Sequence, residues 1–416
     1  MLKNEKEIEL DLSDPHEPNH LNSQLYNLTK EGWCDFVLKV PEDGSAYPNT
    51  CAPVAGVIDY YRGKDYGITC DWVDRPDSYI GHTRLENPFI VESEEGARRL
   101  ARPFDVVWRF ADSSDIKKLV DATRDHVLES YNVEKGILTG IEWCLYEIMD
   151  NVLQHSDASC GFYMSQFTNL NRRLSLCIFD NGRGIYNSLK SSKNHSPRTA
   201  LDAITLALQE RVTRDESMGQ GNGMWGFSEI VQLNDGSYSV SSNGAKVSFD
   251  KEGSHHYERG GFYYGLDNLG TTLVDFQLDC SHRVDVAQAL KQDPTRLWLE
   301  DMEDPTGEEY VLSIASESAG TGTRQAAERV RHKASNIIRE GDKLLVLDFE
   351  NVNLVSSSYA DELIGKLVAE IGFSVFNSYC QLRNLSSLNQ QVVDRSVQQR
   401  MAQEYYNEPL MEDEND

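Results

Sequence analysis

Positive charge is scarce in this chain. Lys and Arg number 40 against 67 Asp and Glu, a formal net charge of −27 over 416 residues. A surface this acidic repels phosphate backbones and anionic lipid, so neither direct nucleic-acid binding nor membrane association is expected. Any anionic ligand has to meet local positive potential set against that field. Cysteine is sparse too: eight scattered residues with no C-x-x-C pair predict neither a zinc site nor a disulfide framework. Buried reduced thiols in a cytoplasmic protein are the expectation. No apolar run approaches membrane-spanning length. The start, Met1-Leu-Lys-Asn-Glu-Lys-Glu-Ile-Glu9, lacks the basic-then-apolar pattern of a secretory signal. No repeat of solenoid period is present. Nor is there a P-loop, because Gly265 to Thr271 has the glycine spacing without the lysine.

What is present is the apolar and aromatic content of a globular α/β (α+β) protein, long enough for two or three domains. Residues 1–25 are polar, with Pro15 and Pro18, and are expected to lack fixed structure. Residues 26–104 read as a small α/β domain. It has strands at 35–40 and 66–72, and a helix whose first residue is Pro53. A second domain is expected over 105–280, with a strand at 104–110 and helices near 115–131 and 134–155. Strands at 161–165 and 174–179 follow, then a polar, partly helical stretch at 186–218 that reads as a mobile cover. Further strands are predicted near 237–241, 245–249, 262–264 and 270–278. Residues 281–306 read as a connector. Residues 307–402 form a last α/β domain with a central strand at 343–349, and 403–416 are an acidic tail.

Three local patterns carry chemistry. On the helix near 134–155, Ile137, Ile141, Leu145, Ile148 and Val152 form a buried stripe. Glu147, Asn151 and His155 line up at i, i+4, i+8 beside it, and polar groups so close to a core must face a cavity or remain expensively unsatisfied. One amide oxygen from Asn151, with phosphates and waters, suits Mg2+. Glu147 is one turn away, placed to take a proton from an attacking oxygen. Asp180 ends a strand and opens Asp180-Asn-Gly-Arg-Gly-Ile185, where Gly182 and Gly184 let the backbone pass close to a flat ligand. Gly219, Gly221, Gly223 and Gly226 then precede a helix, whose bare N–H groups can bind phosphate. Each has a plainer reading as well: a charged helix face, a strand-ending turn and a surface loop.

The three together, in this order, resemble the GHKL superfamily of gyrase, histidine kinases and MutL over about residues 105–280. Glu147-Ile-Met-Asp-Asn151-Val-Leu-Gln-His155 is similar to its N-box, and the two glycine loops to its two glycine boxes. Gly270-Thr271 is similar to a late Gly-Thr pair that supports the adenine contact. The resemblance implies a GHKL α/β sandwich ATPase domain flanked by small STAS-like α/β domains. It implies Glu147 as catalytic base and Asn151 as Mg2+ ligand. Asp180, with Gly182, Gly184 and Thr271, would read adenine, and Gly219, Gly221 and Gly223 would cradle the phosphates. Residues 186–218 would be an ATP lid, from which Arg211 and Arg214 are either γ-phosphate ligands or surface charges.

Leu345 to Leu363 resembles the STAS-like fold of anti-anti-sigma factors. That resemblance makes Ser357 a candidate phosphoacceptor, although Ser356 and Tyr359 replace the family's usual Asp and Gly. Ser357 or Ser358 reads equally well as a helix N-cap, Ser358 forming a capping box with Asp361. The β-α-β unit at 35–73 is STAS-like in topology alone. The implied function is Mg2+-dependent ATP binding, with ATP hydrolysis or phosphoryl transfer to Ser on a STAS-like or other regulatory partner. The alternative is a non-catalytic ATP-dependent switch controlling partner binding, and a homodimer fits either.

Overall fold

In the computed structural model, which describes residues 5–40, 45–72, 79–192, 195–210, 223–259, 270–291 and 297–407, the chain is mixed α/β. It divides into two units, Met1–His126 with Thr139–Asp293, and Val127–Leu138 with Pro294–Asp416. Among the described residues, no helix is long and apolar enough to cross a membrane.

The first unit opens on a parallel sheet of three strands, β1 (Glu5–Glu9), β2 (Asp35–Val40) and β3 (Gly67–Trp72), in that order. Parallel neighbours need crossover connections, and helices Glu17–Lys30 and Pro48–Arg62 supply them. The expectation that residues 1–25 lack structure is therefore corrected: they provide β1 and the start of the first helix. Ile8, Leu10, Leu12, Leu21 and Leu25 are all buried there, enough apolar surface to order the segment. Pro18 falls in the first helical turn, where a missing N–H costs nothing. Pro48 plays that role in the second helix, which starts a turn before the expected Pro53 and carries Pro53 inside it.

A large mixed sheet follows. Its strands are β4 (Phe89–Ile90), β5 (Trp108–Phe110), β6 (Gly161–Thr168), β7 (Arg173–Asp180), β8 (Ser237–Ser242), β9 (Ala245–Asp250), β10 (Gly253–Tyr257) and β11 (Thr272–Asp279). The spatial order is β10-β9-β8-β11-β7-β6-β5-β4. The strand expected at 104–110 is confined to β5, β10 was not foreseen, and the expected strand at 262–264 lies outside the described residues.

Successive strand residues face opposite sides, and the two faces of this sheet have different covers. Phe162 and Met164 of β6, with Cys177 and Phe179 of β7, share one core with Leu25, Leu38, Val54 and Ile58 of the N-terminal layer. Residues 26–104 are thus not a free-standing domain; their core is continuous with this face. On the opposite face the Tyr163 hydroxyl meets that of Thr123 at 2.9 Å, and Phe276 packs edge-on against Phe227 of helix Gly223–Leu233. Asp180 has the parity of that second face.

Helix Pro48–Arg62 approaches the sheet at Gly56, where a Cβ would run into the buried ring of Phe179. Gly56→Ala is expected to lower stability by about 1–3 kcal/mol despite the better helix propensity of alanine. A denaturant melt in which the variant matches or exceeds the native midpoint would contradict this packing.

The second unit holds a parallel sheet, β12 (Glu309–Ser313), β13 (Leu344–Asp348) and β14 (Cys380–Arg383), in that order. Helix Arg324–Glu340 joins the first two strands. A helical run from Ser357–Ala360 through one π turn at Asp361–Gly365 to Lys366–Ile371 follows β13. Phe373-Ser-Val-Phe376 belongs to a short helix, Phe373–Tyr379, and the third strand comes after it. The fully buried Asn336 ties the unit's segments together: its Nδ2 donates to the Leu128 and Tyr131 carbonyls, and its Oδ1 accepts from Val133 N–H at 3.0 Å. Buried Arg331 is paired with Glu370 at 2.8 Å and Glu362 at 3.3 Å, so its charge is compensated rather than stranded.

Candidate functional site

Helix Ile137–His155 presents its stripe of Ile141, Leu145, Ile148 and Val152 to the interior. Glu147 and Asn151, one turn apart, are half-buried beside the stripe. Burial and the neighbouring Asp150 carboxylate hold the Glu147 carboxyl above its ordinary range. The Asn151 Nδ2 is buried without a hydrogen-bond partner, and such an orphaned amide is costly unless something else satisfies it. Helix Gly223–Leu233 begins directly against these side chains. A Cβ on Gly223 would run into Glu147 Oε2 and lie 3.7 Å from Asn151 Nδ2. The first N–H groups of a helix have no intrahelical acceptors and form its positive end. Glu147 and Asn151 therefore share a small space with backbone donors.

Asp180 stands at the end of β7 and is 2% exposed. Burial pushes its carboxyl up to about 7, against the Gly182 N–H donating at 2.8 Å and the pull of the nearby Thr272 and Ser156 hydroxyls. Thr272 lies directly across the strand pair from Asp180. Sequence reasoning singled out its neighbour Thr271, which is fully buried and whose carbonyl accepts from Ser242 Oγ at 2.8 Å. The turn after Asp180 is fastened to the end of the Ile137–His155 helix. Arg183 N–H donates to Ser156 O at 2.7 Å and Arg183 Nε to His155 O at 2.9 Å. This close approach explains Gly182, where a Cβ would collide with the Ser156 carbonyl. Gly184 has φ of 75°, and its Cβ would crowd Asn243 and Ser242. Asn181 Nδ2 donates to Gly56 O at 2.9 Å, tying the same turn to the N-terminal layer.

Ser156 thus marks the Asp180 end of the helix, and Glu147 stands about two and a half turns before it. Nine residues separate them, about 13 Å along a helix, the scale of an extended nucleoside triphosphate. Gly219 and Gly221, together with Arg211 and Arg214, lie outside the described residues. Of the expected cover at 186–218, helix Ala200–Ala207 is described, capped by Thr199 Oγ1 accepting from Asp202 N–H at 3.1 Å. Ser156, Thr272, Ser242 and Asn243 went unnoticed in the sequence. Isolated hydroxyls and amides carry no spacing signal until strand pairing brings them to Asp180 and its turn.

In the second unit Ser357 is the first residue of its helix and is exposed. The cap is Ser356, whose Oγ accepts from Tyr359 N–H at 3.0 Å. The expected Ser358–Asp361 capping box is replaced by this bond, and Asp361 instead pairs with Arg400 at 2.7 Å and Arg324 at 2.9 Å.

Residues 326–390 match the model of a family described as a STAS-like domain of unknown function (DUF4325). No curated protein matches the chain. The C-terminal part of the chain therefore contains a STAS-like domain, which points to a regulatory role.

Proposed function

We propose that the first unit binds ATP with Mg2+ in the manner of the GHKL superfamily and that the STAS-like domain communicates the result to a regulatory partner. The observation that carries this reading is the wall described above. A fully buried carboxylate, Asp180, stands at one end. A carboxylate and an orphaned amide, Glu147 and Asn151, stand at the other, against the start of a helix. In this reading Asp180, supported by Gly182, Gly184, Thr271 and Thr272, accepts a hydrogen bond from the adenine amino group. Gly219, Gly221 and Gly223 supply backbone N–H groups to the phosphates. Asn151 would hold Mg2+ through its Oδ1, while its buried Nδ2, which has no hydrogen-bond partner, would donate to a phosphate oxygen. When bound, the ion would neutralise phosphate charge. Glu147 accepts the proton of the attacking oxygen, and its raised pKa makes it a stronger base than an exposed carboxylate. The acceptor is water or a Ser hydroxyl. Exposed Ser357, at the first turn of a helix that would stabilise an added phosphate, is the candidate in this chain or in a second copy. A cytoplasmic setting belongs to the same reading.

Calorimetry with ATP and ADP, with and without Mg2+, tests the binding; no heat with either nucleotide ends it. Incubation with γ-labelled ATP tests the chemistry, with label expected in inorganic phosphate or on Ser357. One observation favours a non-catalytic switch as the second reading. The Glu147 carboxylate already abuts the first turn of helix Gly223–Leu233, where it can stabilise that helix rather than act as a base. A switch predicts nucleotide-dependent partner binding that survives Glu147→Ala and is lost in Asp180→Asn.

A further inference from the structure

A cluster far from this cleft in sequence has the composition of a metal site. It sits where Asp14-Pro-His-Glu17-Pro-Asn-His20 enters the first helix. Asp14 lies just before the helix, and Glu17 and His20 stand three residues apart in its first turn, so the three side chains converge at the helix start. One ligand atom from each lies within 4.8 Å of the others. His20 Nδ1 is 3.6 Å from Asp14 Oδ2 and 3.9 Å from Glu17 Oε2. Ligand atoms bound at about 2.0–2.2 Å to a common Zn2+ stand roughly 3–3.5 Å apart, so side-chain rotation closes the set.

Glu17 supplies the independent observation. It is 5% exposed, yet its Oε1 is buried without a hydrogen-bond partner. Its other oxygen points to His20. The carboxyl is helped by the Asp11 backbone N–H and opposed by the Asp11 and Asp14 carboxylates. A buried acid crowded by two more and left half-satisfied is expensive as it stands, and a divalent cation held by both Glu17 oxygens would satisfy it together with Asp14 and His20.

We propose that Asp14, Glu17 and His20 bind a divalent first-row transition ion of the Zn2+ class, which clips the turn after β1 to the first helix. The imidazole favours Zn2+ over Mg2+ or Ca2+, which prefer all-oxygen shells. Three protein ligands leave one tetrahedral position for water.

The test is calorimetric titration of Zn2+ into the EDTA-stripped, nucleotide-free full chain, alongside His20→Ala, Asp14→Asn, Glu17→Gln, and His255→Ala and Asn151→Ala as controls. His20 is largely exposed and Asp14 partly so, so both variants should keep the fold, checked by circular dichroism. Glu17→Gln keeps the buried shape. His255→Ala disrupts the exposed Asp250, Glu252 and His255 group, which has a similar ligand set, and Asn151→Ala removes the amide proposed for Mg2+. Expected is one Zn2+ site whose affinity falls about tenfold or more in His20→Ala and Asp14→Asn and is unchanged in both controls. Zn2+ should also raise the melting temperature of the native chain and leave that of His20→Ala unmoved. Native-like Zn2+ affinity in both His20→Ala and Asp14→Asn, or loss only in His255→Ala, overturns the proposal. So does absence of any Zn2+ heat, which would leave the cluster a local polar contact only.

Discussion

Asp180→Asn is expected to weaken ATP binding by about 10- to 100-fold while making the ligand-free protein more stable at alkaline pH. Asn keeps an oxygen for the Gly182 N–H and the volume of the side chain, but replaces a charged acceptor with a neutral one. The stability change follows from burial. The Asp180 carboxyl is pushed up from its ordinary 3.8 to about 7, so the folded chain holds a proton there that the unfolded chain releases. Its contribution is fully present below the ordinary value and is lost as pH rises through about 7. At pH 8 the native protein therefore keeps a buried negative charge whose cost is on the order of 2–4 kcal/mol, and the Asn variant does not. Asp275, pushed up to about 6, and Glu17, to about 7, titrate over the same window in both proteins. The difference between the two melting curves thus isolates Asp180. Melting temperatures are expected to agree near pH 4 and to separate by several degrees at pH 8, with the variant higher. Equal curves at both pH values would mean that Asp180 is not a buried, strained carboxylate; unchanged ATP affinity would remove it from the adenine site.

Such a trade, stability surrendered at one residue, is expected of a residue kept for a role other than stability. It also explains what the sequence could and could not disclose. The placement of Glu147 and Asn151 together on one helix was legible because one helical turn is a fixed spacing, and that of Asp180 at a strand end because a strand rich in Leu, Cys, Ile and Phe ends abruptly on a carboxylate. The meeting of Glu147 with Gly223 was legible only as the order of motifs, since seventy-six residues of chain separate them. Thr272 could not be found from sequence, because its relation to Asp180 depends on the register between β11 and β7. The N-terminal layer was misread for a different reason. Its apolar residues are spread thinly between prolines and acids, and their burial comes from a sheet more than a hundred residues away. Tertiary contact, not local propensity, orders that segment. In the STAS-like part the helix after β13 was legible from its serines, but which serine caps it was decided by the backbone, where Ser356 alone takes the extended conformation of an N-cap.

Glu147→Ala and Glu147→Gln together decide whether the site does chemistry. If Glu147 is the base, either change is expected to lower turnover of γ-labelled ATP by about 10²- to 10⁴-fold, with ATP affinity nearly unchanged because the group acts on the attacking oxygen. The Gln variant matters because it fills the same space beside Gly223, so its loss reports the missing base and not a collapsed helix start. The native rate should also carry the signature of this carboxyl. Glu147 works in its ionised form, and burial with Asp150 nearby holds its pKa above the ordinary 4.5. The rate is therefore expected to climb with pH through a value higher than that of an exposed glutamate and then level off. Asp150→Asn removes the like charge and should move that rise to lower pH. A turnover rate that is unaltered in Glu147→Gln, with ATP still bound, would leave the nucleotide a signal, and its release or retention the only event the STAS-like domain has to report.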